Sequence, residues 1–300
     1  MPAPDRDSGA VPPTPPRFAA PLFDWVRGLS PLKLAVSMLA GVAIAVAVAE
    51  RPLTAPLPST VKIADMTWVE VRSAIAQGYT RVIVPSGGIE QNGPHMIVGK
   101  HDYIVKHAAE RIAGELGKTL VAPVISYVPE GAYDPPTGHM RFPGTIGVPE
   151  PVYAGLVEGI ARSLKAGGFR TIVFIADHGG SLAPQAETIA RLNAEWAGKG
   201  VRVIHGDAYY ADDAQIALLL KQGETRAAIG QHASLIDTSE LMAVNPRGVD
   251  LDRLAGLKLT MQTTGIVGDP ARASAERGKA LLELRIRAAV QQIRSTVPTQ

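Results

Sequence analysis

The run TIVFIA at residues 171–176 constrains this chain more than any other stretch. Six residues without a charge read as a strand, and they pass without a break into Asp177-His178-Gly179-Gly180-Ser181. A second apolar run, residues 81–84, passes in the same way into PSGGIEQNGPHMIVGKHD at residues 85–102. Helical patterns follow both loops. One begins near Asp102, with Ile104, Ala108, Ile112 and Leu116 on one stripe and Gly117 beyond; the other covers residues 183–197. Strand, glycine loop, helix, strand is the order of a layered α/β fold with a mostly parallel sheet. In such sheets the loops at the C-terminal strand ends form the ligand crevice.

The remaining elements continue the alternation. Thr67-Trp68-Val69-Glu70 is a capping-box pattern, and Gly78 closes the helix it opens. Further strands are expected at residues 119–124 and 201–205. Helices are expected at residues 149–166 and 209–222, after the turn within 230–244, and from Pro270 through Val297. Residues 131–145 form a long loop rich in Pro and Gly that holds His139, Arg141 and Phe142. Loops of this length in compact domains are often functional.

Composition narrows the function. At 300 residues, 46% apolar, the chain is long enough for a large core. A net charge of +2 and the lack of a long basic run argue against nucleic acid as a partner. With no cysteine, a metal has to be held by His, Asp, Glu or Asn. Residues 34–49, LAVSMLAGVAIAVAVA, carry no charge and suit a signal-peptide core, with Ala47-Val48-Ala49 as a small-x-small cleavage site. Left uncleaved, the segment would be an inner-membrane anchor. The expected domains are therefore a signal peptide or anchor at 1–49, a proline-containing linker at 50–64 and a catalytic domain at 65–300, periplasmic or otherwise exported.

The glycine loop at 85–102 crowds Glu90, Asn92, His95 and His101 toward one point. Such a set of oxygen and imidazole groups suits a metal ion. The alternative is a polar turn whose Asp102 caps the next helix.

Five motifs, in order across residues 65–285, resemble those of the creatininase family of metal-dependent amidohydrolases. EQNGPHMIVGKHD at 90–102 resembles the family's EQHGPHLPLGTD, with Asp102 set opposite the final Asp. IADHGGS at 175–181 is similar to an apolar strand entering NGHGGN, and GHMRFPGT at 138–145 to EHxxFPGT. HASLIDTS at 232–239 is similar to HAGxxETS, and GDPARASAERG at 268–278 to GDPxxAxxExG. The resemblance implies a three-layer α/β/α sandwich. It implies Glu90, Asp102 and His178 as ligands of divalent ions, with Asp102 bridging two. It also implies His232 beside the substrate, where it assists proton transfer, and Asp237 completing the second metal site.

Two departures fall on that second site. Asn92 stands where the family has a histidine ligand, and Asp237 is one methylene shorter than the family's Glu. An amide oxygen is a weaker zinc ligand than an imidazole. His101 is read as replacing a family Thr, either supplying the missing imidazole or lying at the surface. His95 is read as a supporting group. The catalytic pair is then His232 and His178, and Gly179, Gly180 and His139 contact the substrate. Arg141 and Phe142 are candidates for pocket or structural roles. The expected cofactor is zinc or manganese, one or two ions per subunit. The expected reaction is hydrolysis of a small amide, cyclic ones included, at a non-peptide C–N bond. The resemblance also implies a homo-oligomer. The alternative is a non-catalytic or single-metal ligand-binding protein of the same fold in the cell envelope.

Overall fold

Strands β1 (Arg81–Ser86), β2 (Thr119–Val121), β3 (Thr171–Ala176) and β4 (Arg202–His205) form one parallel sheet in the order β2-β1-β3-β4. The computed structural model describes residues 55–57 and 59–296, so the expected export segment at 1–49 lies outside the described residues. Alternate side chains enter two separate cores. Ile83, Val173, Ile175 and Ile204 point into one, and Val82, Val84, Ile172, Phe174 and Val203 into the other. Burial on both faces is why these strands are unbroken apolar runs.

The helices are α1 (Trp68–Ala76), α2 (Lys100–Leu116), α3 (Glu150–Ala166), α4 (Leu182–Glu195), α5 (Asp213–Lys221), α6 (Arg226–Ile229), α7 (Leu235–Val244) and α8 (Ala275–Thr296). On one face of the sheet α2 packs Ile104, Val105, Ala108 and Ile112, and α8 packs Leu282, Ile286, Ala289 and Ile293. On the other, α3 packs Tyr153, Val157 and Ala161, and α4 packs Ile189 and Leu192. The result is the expected three-layer α/β/α sandwich. The chain leaves β1 to make β2 on one side, then crosses to make β3 on the other. Strand order therefore reverses between β1 and β3, and a crevice opens beyond their C-terminal ends. Both glycine loops of the sequence emerge there.

The Thr67 capping box forms as expected, with Glu70 taking the Thr67 N–H at 2.6 Å. Other boundaries move for local reasons. Helix α2 begins at Lys100, capped by Gly99, so Lys100, His101 and Asp102 share its first turn. Strand β2 stops at Val121, two residues before Pro123, which has no N–H to give a ladder. The helix expected at 209–222 divides into a 3-10 turn, Asp207–Tyr209, and α5, because Tyr209 turns into the core. Helix α8 begins at Ala275 instead of Pro270. Asp269 takes the Ala271 N–H at 2.9 Å, which makes a separate turn, and Ser274 then takes the Arg277 N–H at 3.3 Å. Part of the expected linker lies on the sheet edge, where Val121 N–H donates to Val61 at 2.8 Å. Among the described residues no helix is long and apolar enough to cross a membrane.

Candidate active site

The loop after β1 turns at Gly87-Gly88 against the start of α2. A Cβ on Gly87 would stand 1.9 Å from Asp102 Oδ1 and 2.9 Å from the Asp102 backbone, so the approach requires glycine. Asp102 accepts the Gly88 N–H at 3.1 Å and the Ser126 hydroxyl at 2.5 Å. This tie holds helix to loop, and Glu90 lies beyond it, fully buried in the crevice.

Four imidazoles converge on Glu90. His178, on the loop after β3, places Nε2 3.1 Å from Glu90 Oε2. His139, on a 3-10 turn at Gly138–Arg141, places Nε2 3.2 Å from the same oxygen. His101, on α2, places Nε2 2.5 Å from Glu90 Oε1, and His232, just before α7, places Nδ1 3.7 Å from it. Glu130 brings Oε2 to 3.1 Å from His178 Nε2.

Ligand atoms of Glu90, Glu130, His139 and His178 all lie within 4.8 Å of one another. Around a tetrahedral ion with bonds of about 2.1 Å, ligand atoms stand roughly 3.4 Å apart. Glu90 Oε2 and both Glu130 oxygens are buried without a hydrogen-bond partner among the described residues. Carboxylate oxygens orphaned in this way are costly, and a cation among them removes the cost. The donor set and its spacing fit a divalent ion.

The electrostatics agree. Burial pushes the Glu90 carboxyl up, but the His101 and His178 rings beside it prevail and hold it well below the usual range. Burial raises Glu130. Burial lowers His139 to about 4, leaving a neutral ring with a lone pair to give. Burial also works against a charged His178, yet Glu130 and Glu90 raise it to about 10. A proton between two carboxylates there does the electrostatic work of a cation.

Two hydrogen bonds of the neutral rings oppose coordination. Gly180 N–H donates to His178 Nδ1 at 3.2 Å when that ring is uncharged, and the Gln91 amide donates to His139 Nδ1 at 3.0 Å. A ligating imidazole instead carries its own proton on that outer nitrogen. Giving up each bond costs about 1 kcal/mol. A bound zinc returns about 10 kcal/mol or more in structural sites, so the ion prevails.

His101 is held differently. Its second nitrogen, Nδ1, meets Asp177 Oδ2 at 2.7 Å, so both ring nitrogens face carboxylates and both donate. Burial and Lys100 disfavour its charge, but Glu90 and Asp177 raise its pKa overall. Asp177 also accepts from Tyr209 at 3.0 Å and pairs with Arg285 at 2.8 Å. Arg285 reaches Glu240 at 2.8 Å, and Gln215 donates to Glu240 at 2.6 Å. This buried network backs the imidazole cluster and fixes its rotamers. Lys100, also buried, places Nζ 2.9 Å from Asp237 Oδ1 and 3.7 Å from Glu90 Oε1. Burial lowers its pKa, but Asp237 and Glu90 outweigh burial and raise it.

His232 donates Nε2–H to the Gln91 carbonyl at 3.0 Å, which leaves the Nδ1 lone pair toward Glu90. Burial lowers its pKa, so the ring is neutral and able to take a proton. Ala233, next in the chain, is buried at φ 51°, a strained left-handed conformation. Ser234 secures the turn by donating to the Ile229 carbonyl at 2.6 Å.

Of the residues singled out in the sequence, Glu90, His139, His178 and His232 come together, with Gly179 and Gly180 beside them, around a cavity of about 640 Å³. Asp102 lies outside the cluster, in its loop tie. Asn92 Nδ2 donates to the Glu90 carbonyl at 2.9 Å and the Ile97 carbonyl at 3.3 Å, while its buried Oδ1 has no partner among the described residues. Asp237 is on the cavity wall, engaged by Lys100. His95 supports α7 through Thr238 Oγ1 at 3.0 Å. Arg141 and Phe142 do not line the cavity. His101 is at the centre rather than the surface, for a reason visible in the sequence. The family's Glu and Asp stand eleven positions apart, and eleven beyond Glu90 is His101, with Asp102 one further. Sequence reasoning missed Glu130 and Lys100. The one cue to Glu130 was an acid immediately before the first glycine of the long loop.

A family model described as creatinine amidohydrolase matches residues 64–293. The chain is similar to the creatinine amidohydrolase of Pseudomonas putida, 27% identical over 262 residues that cover 81% of this chain and 99% of that protein. It is also similar to the mycofactocin precursor peptide peptidase of Mycolicibacterium smegmatis, 27% identical over 230 residues that cover 72% of this chain and 85% of that one. Among solved structures, a manganese creatininase is 25% identical with a TM-score of 0.65, covering 80% of this chain and 100% of its own. A mutant creatininase of Zn-Zn type is likewise 25% identical with a TM-score of 0.65, covering 81% of this chain and 100% of its own.

Proposed function

As the chain belongs to the creatininase family of hydrolases, we propose that it hydrolyses a small amide at a non-peptide C–N bond, with a divalent ion held by Glu90, Glu130, His139 and His178. The observation that carries the ion is the set of three buried carboxylate oxygens without hydrogen-bond partners among the described residues, two of them facing imidazole nitrogens at 3.1–3.2 Å. Zinc or manganese is the choice supported by the solved relatives. When bound, such an ion lowers the pKa of water toward neutrality and polarises an amide carbonyl.

The protein's own groups supply the rest. His232, oriented by the Gln91 carbonyl, accepts a proton at Nδ1 and returns it to the leaving nitrogen. His101, clamped between Glu90 and Asp177, fixes the Glu90 carboxylate. Gly179 and Gly180 line the cavity without side chains and leave room for the scissile group. The cavity volume suits a small molecule. The Pseudomonas relative, named for creatinine, makes cyclic amides the first class to try. Placement outside the cytoplasm is supported by the uncharged run at residues 34–49, and a homo-oligomer by family resemblance.

The test is hydrolysis of a panel of small cyclic and open amides, creatinine included, by chelator-treated protein before and after zinc or manganese is returned. Activity on at least one is expected to depend on metal. His232→Ala should lower kcat by about 10²–10⁴-fold with metal content unchanged. Wild-type kcat in metal-loaded His232→Ala would remove the proton-transfer role.

A further inference from the structure

We infer that this chain holds one divalent ion per subunit, and that the Lys100 and His101 side chains fill the place of a second. The inference rests on the hydrolase reading above. A solved relative of Zn-Zn type shares this fold, so the fold accommodates two ions. The residues lying between Glu90 and Asp237 here do not.

A second ion next to the first would need lone pairs from Glu90 Oε1, Asp237, Asn92 and His101. Each is already committed or weak. Lys100 Nζ stands between the two acids, 2.9 Å from Asp237 Oδ1 and 3.7 Å from Glu90 Oε1, and only 1% of its side chain is exposed. An ammonium in that position takes up the carboxylates that an ion would bridge, and it repels a cation. Neither ring nitrogen of His101 is open to an ion, with Nε2 2.5 Å from Glu90 Oε1 and Nδ1 2.7 Å from Asp177 Oδ2. Asn92 has only its neutral Oδ1, with Nδ2 spent on two backbone carbonyls. An amide oxygen is a poor partner for zinc. The first set, Glu90 Oε2, Glu130, His139 and His178, is untouched by these substitutions and keeps its orphaned oxygens.

The experiment counts ions. Purified full chain is saturated with zinc or manganese, dialysed and analysed by inductively coupled plasma mass spectrometry. One ion per chain is expected. Two would overturn this inference and leave the hydrolase reading intact; none would overturn that reading itself. Glu130→Gln is expected to lose the single ion. An ion kept in Glu130→Gln and lost in Asp237→Asn would put it in the second place and overturn the inference. A triple variant, Asn92→His with Lys100→Thr and His101→Asp, removes both side chains that fill the place. When folded by circular dichroism it should bind two ions, and a count still at one would show that these side chains are not what excludes the second, and would overturn the inference. Should the triple variant not fold, the count on the unaltered chain decides alone.

Discussion

Replacing Glu130 by Gln removes one anionic wall of the cluster and nothing else of similar size. Glu130 is buried, its two oxygens lack hydrogen-bond partners among the described residues, and Oε2 lies 3.1 Å from His178 Nε2. Loss of a group that merely supports a metal ligand weakens metal binding by about 10–100-fold. Loss of an anionic ligand itself should cost at least the upper end, about 100-fold. An ion at 100 times its Kd stabilises the fold by about 2.7 kcal/mol, worth roughly 5–11 °C in Tm for a domain of this size. After a 100-fold loss the same concentration equals Kd and contributes about 0.4 kcal/mol, or about 1 °C. The assay is thermal unfolding of chelator-treated protein with and without zinc or manganese. Taking the metal-induced shift within each variant cancels what the substitution does to the ion-free chain. Asp102→Asn is the matched control. Its carboxylate holds Gly88 and Ser126 instead of facing the cluster, and an amide oxygen can still accept the Gly88 N–H. The shift should collapse in Glu130→Gln and persist in Asp102→Asn. A full shift in the first, or a lost shift in the second, would refute the placement of the ion.

Arg285→Met leaves Asp177 and Glu240 buried without their cation, which should cost about 3–5 kcal/mol. Burial raises Glu240 to about 7 despite Arg285, so Glu240→Gln should cost far less at neutral pH, and equal losses in thermal melts would contradict the network. For Asp237, burial pushes the pKa up but the Lys100 ammonium prevails and holds it at about 2, below the usual 3.8. A depressed acid stabilises the fold above its unfolded pKa and loses that contribution as pH falls through the folded value. The stability lost in Asp237→Asn should thus be about 2 kcal/mol at pH 7, shrinking between pH 4 and pH 2. Urea unfolding at several pH values would show a constant difference if the pair contributed nothing. Gly180→Ala adds a Cβ 2.4 Å from the Pro129 carbonyl, beside Glu130. The metal-induced shift should fall although Gly180 offers no ligand, and a full shift would show that the two loops tolerate separation.

Strand placement was legible because burial on both sheet faces leaves a continuous apolar run, and β1 and β3 are such runs. The position of the site was legible for a related reason: glycine loops at the ends of adjacent parallel strands meet at the strand-order reversal. Direction was not legible. Successive side chains on a helix diverge by about 100°. On the first turn of α2, Lys100 therefore points to Asp237, His101 to Glu90 and Asp177, and Asp102 to Gly88 and Ser126. A shift of one position in aligning the motif exchanges a structural tie for the innermost imidazole of the site. Glu130 was hidden for a different reason. Its place before Gly131 is the one mark it carries in sequence, and it meets His178 where the loop after β3 presses on Pro129 through Gly180.

Charge balance joins these residues into one account that no single motif carries. The ion-pair network of the crevice contains five acids, Glu90, Glu130, Asp177, Asp237 and Glu240. Lys100, His101 and Arg285 answer them, and the His178 imidazolium is a fourth cation until it gives up its proton to make room for an ion. With all five acids ionised and that proton given up, two negative charges remain, concentrated where Glu90 and Glu130 face His178. A single divalent ion neutralises that excess, whereas a second would leave the buried network with two unmatched positive charges. Buried charge that is not matched is expensive, so the same residues that invite one ion set the electrostatic cost of another.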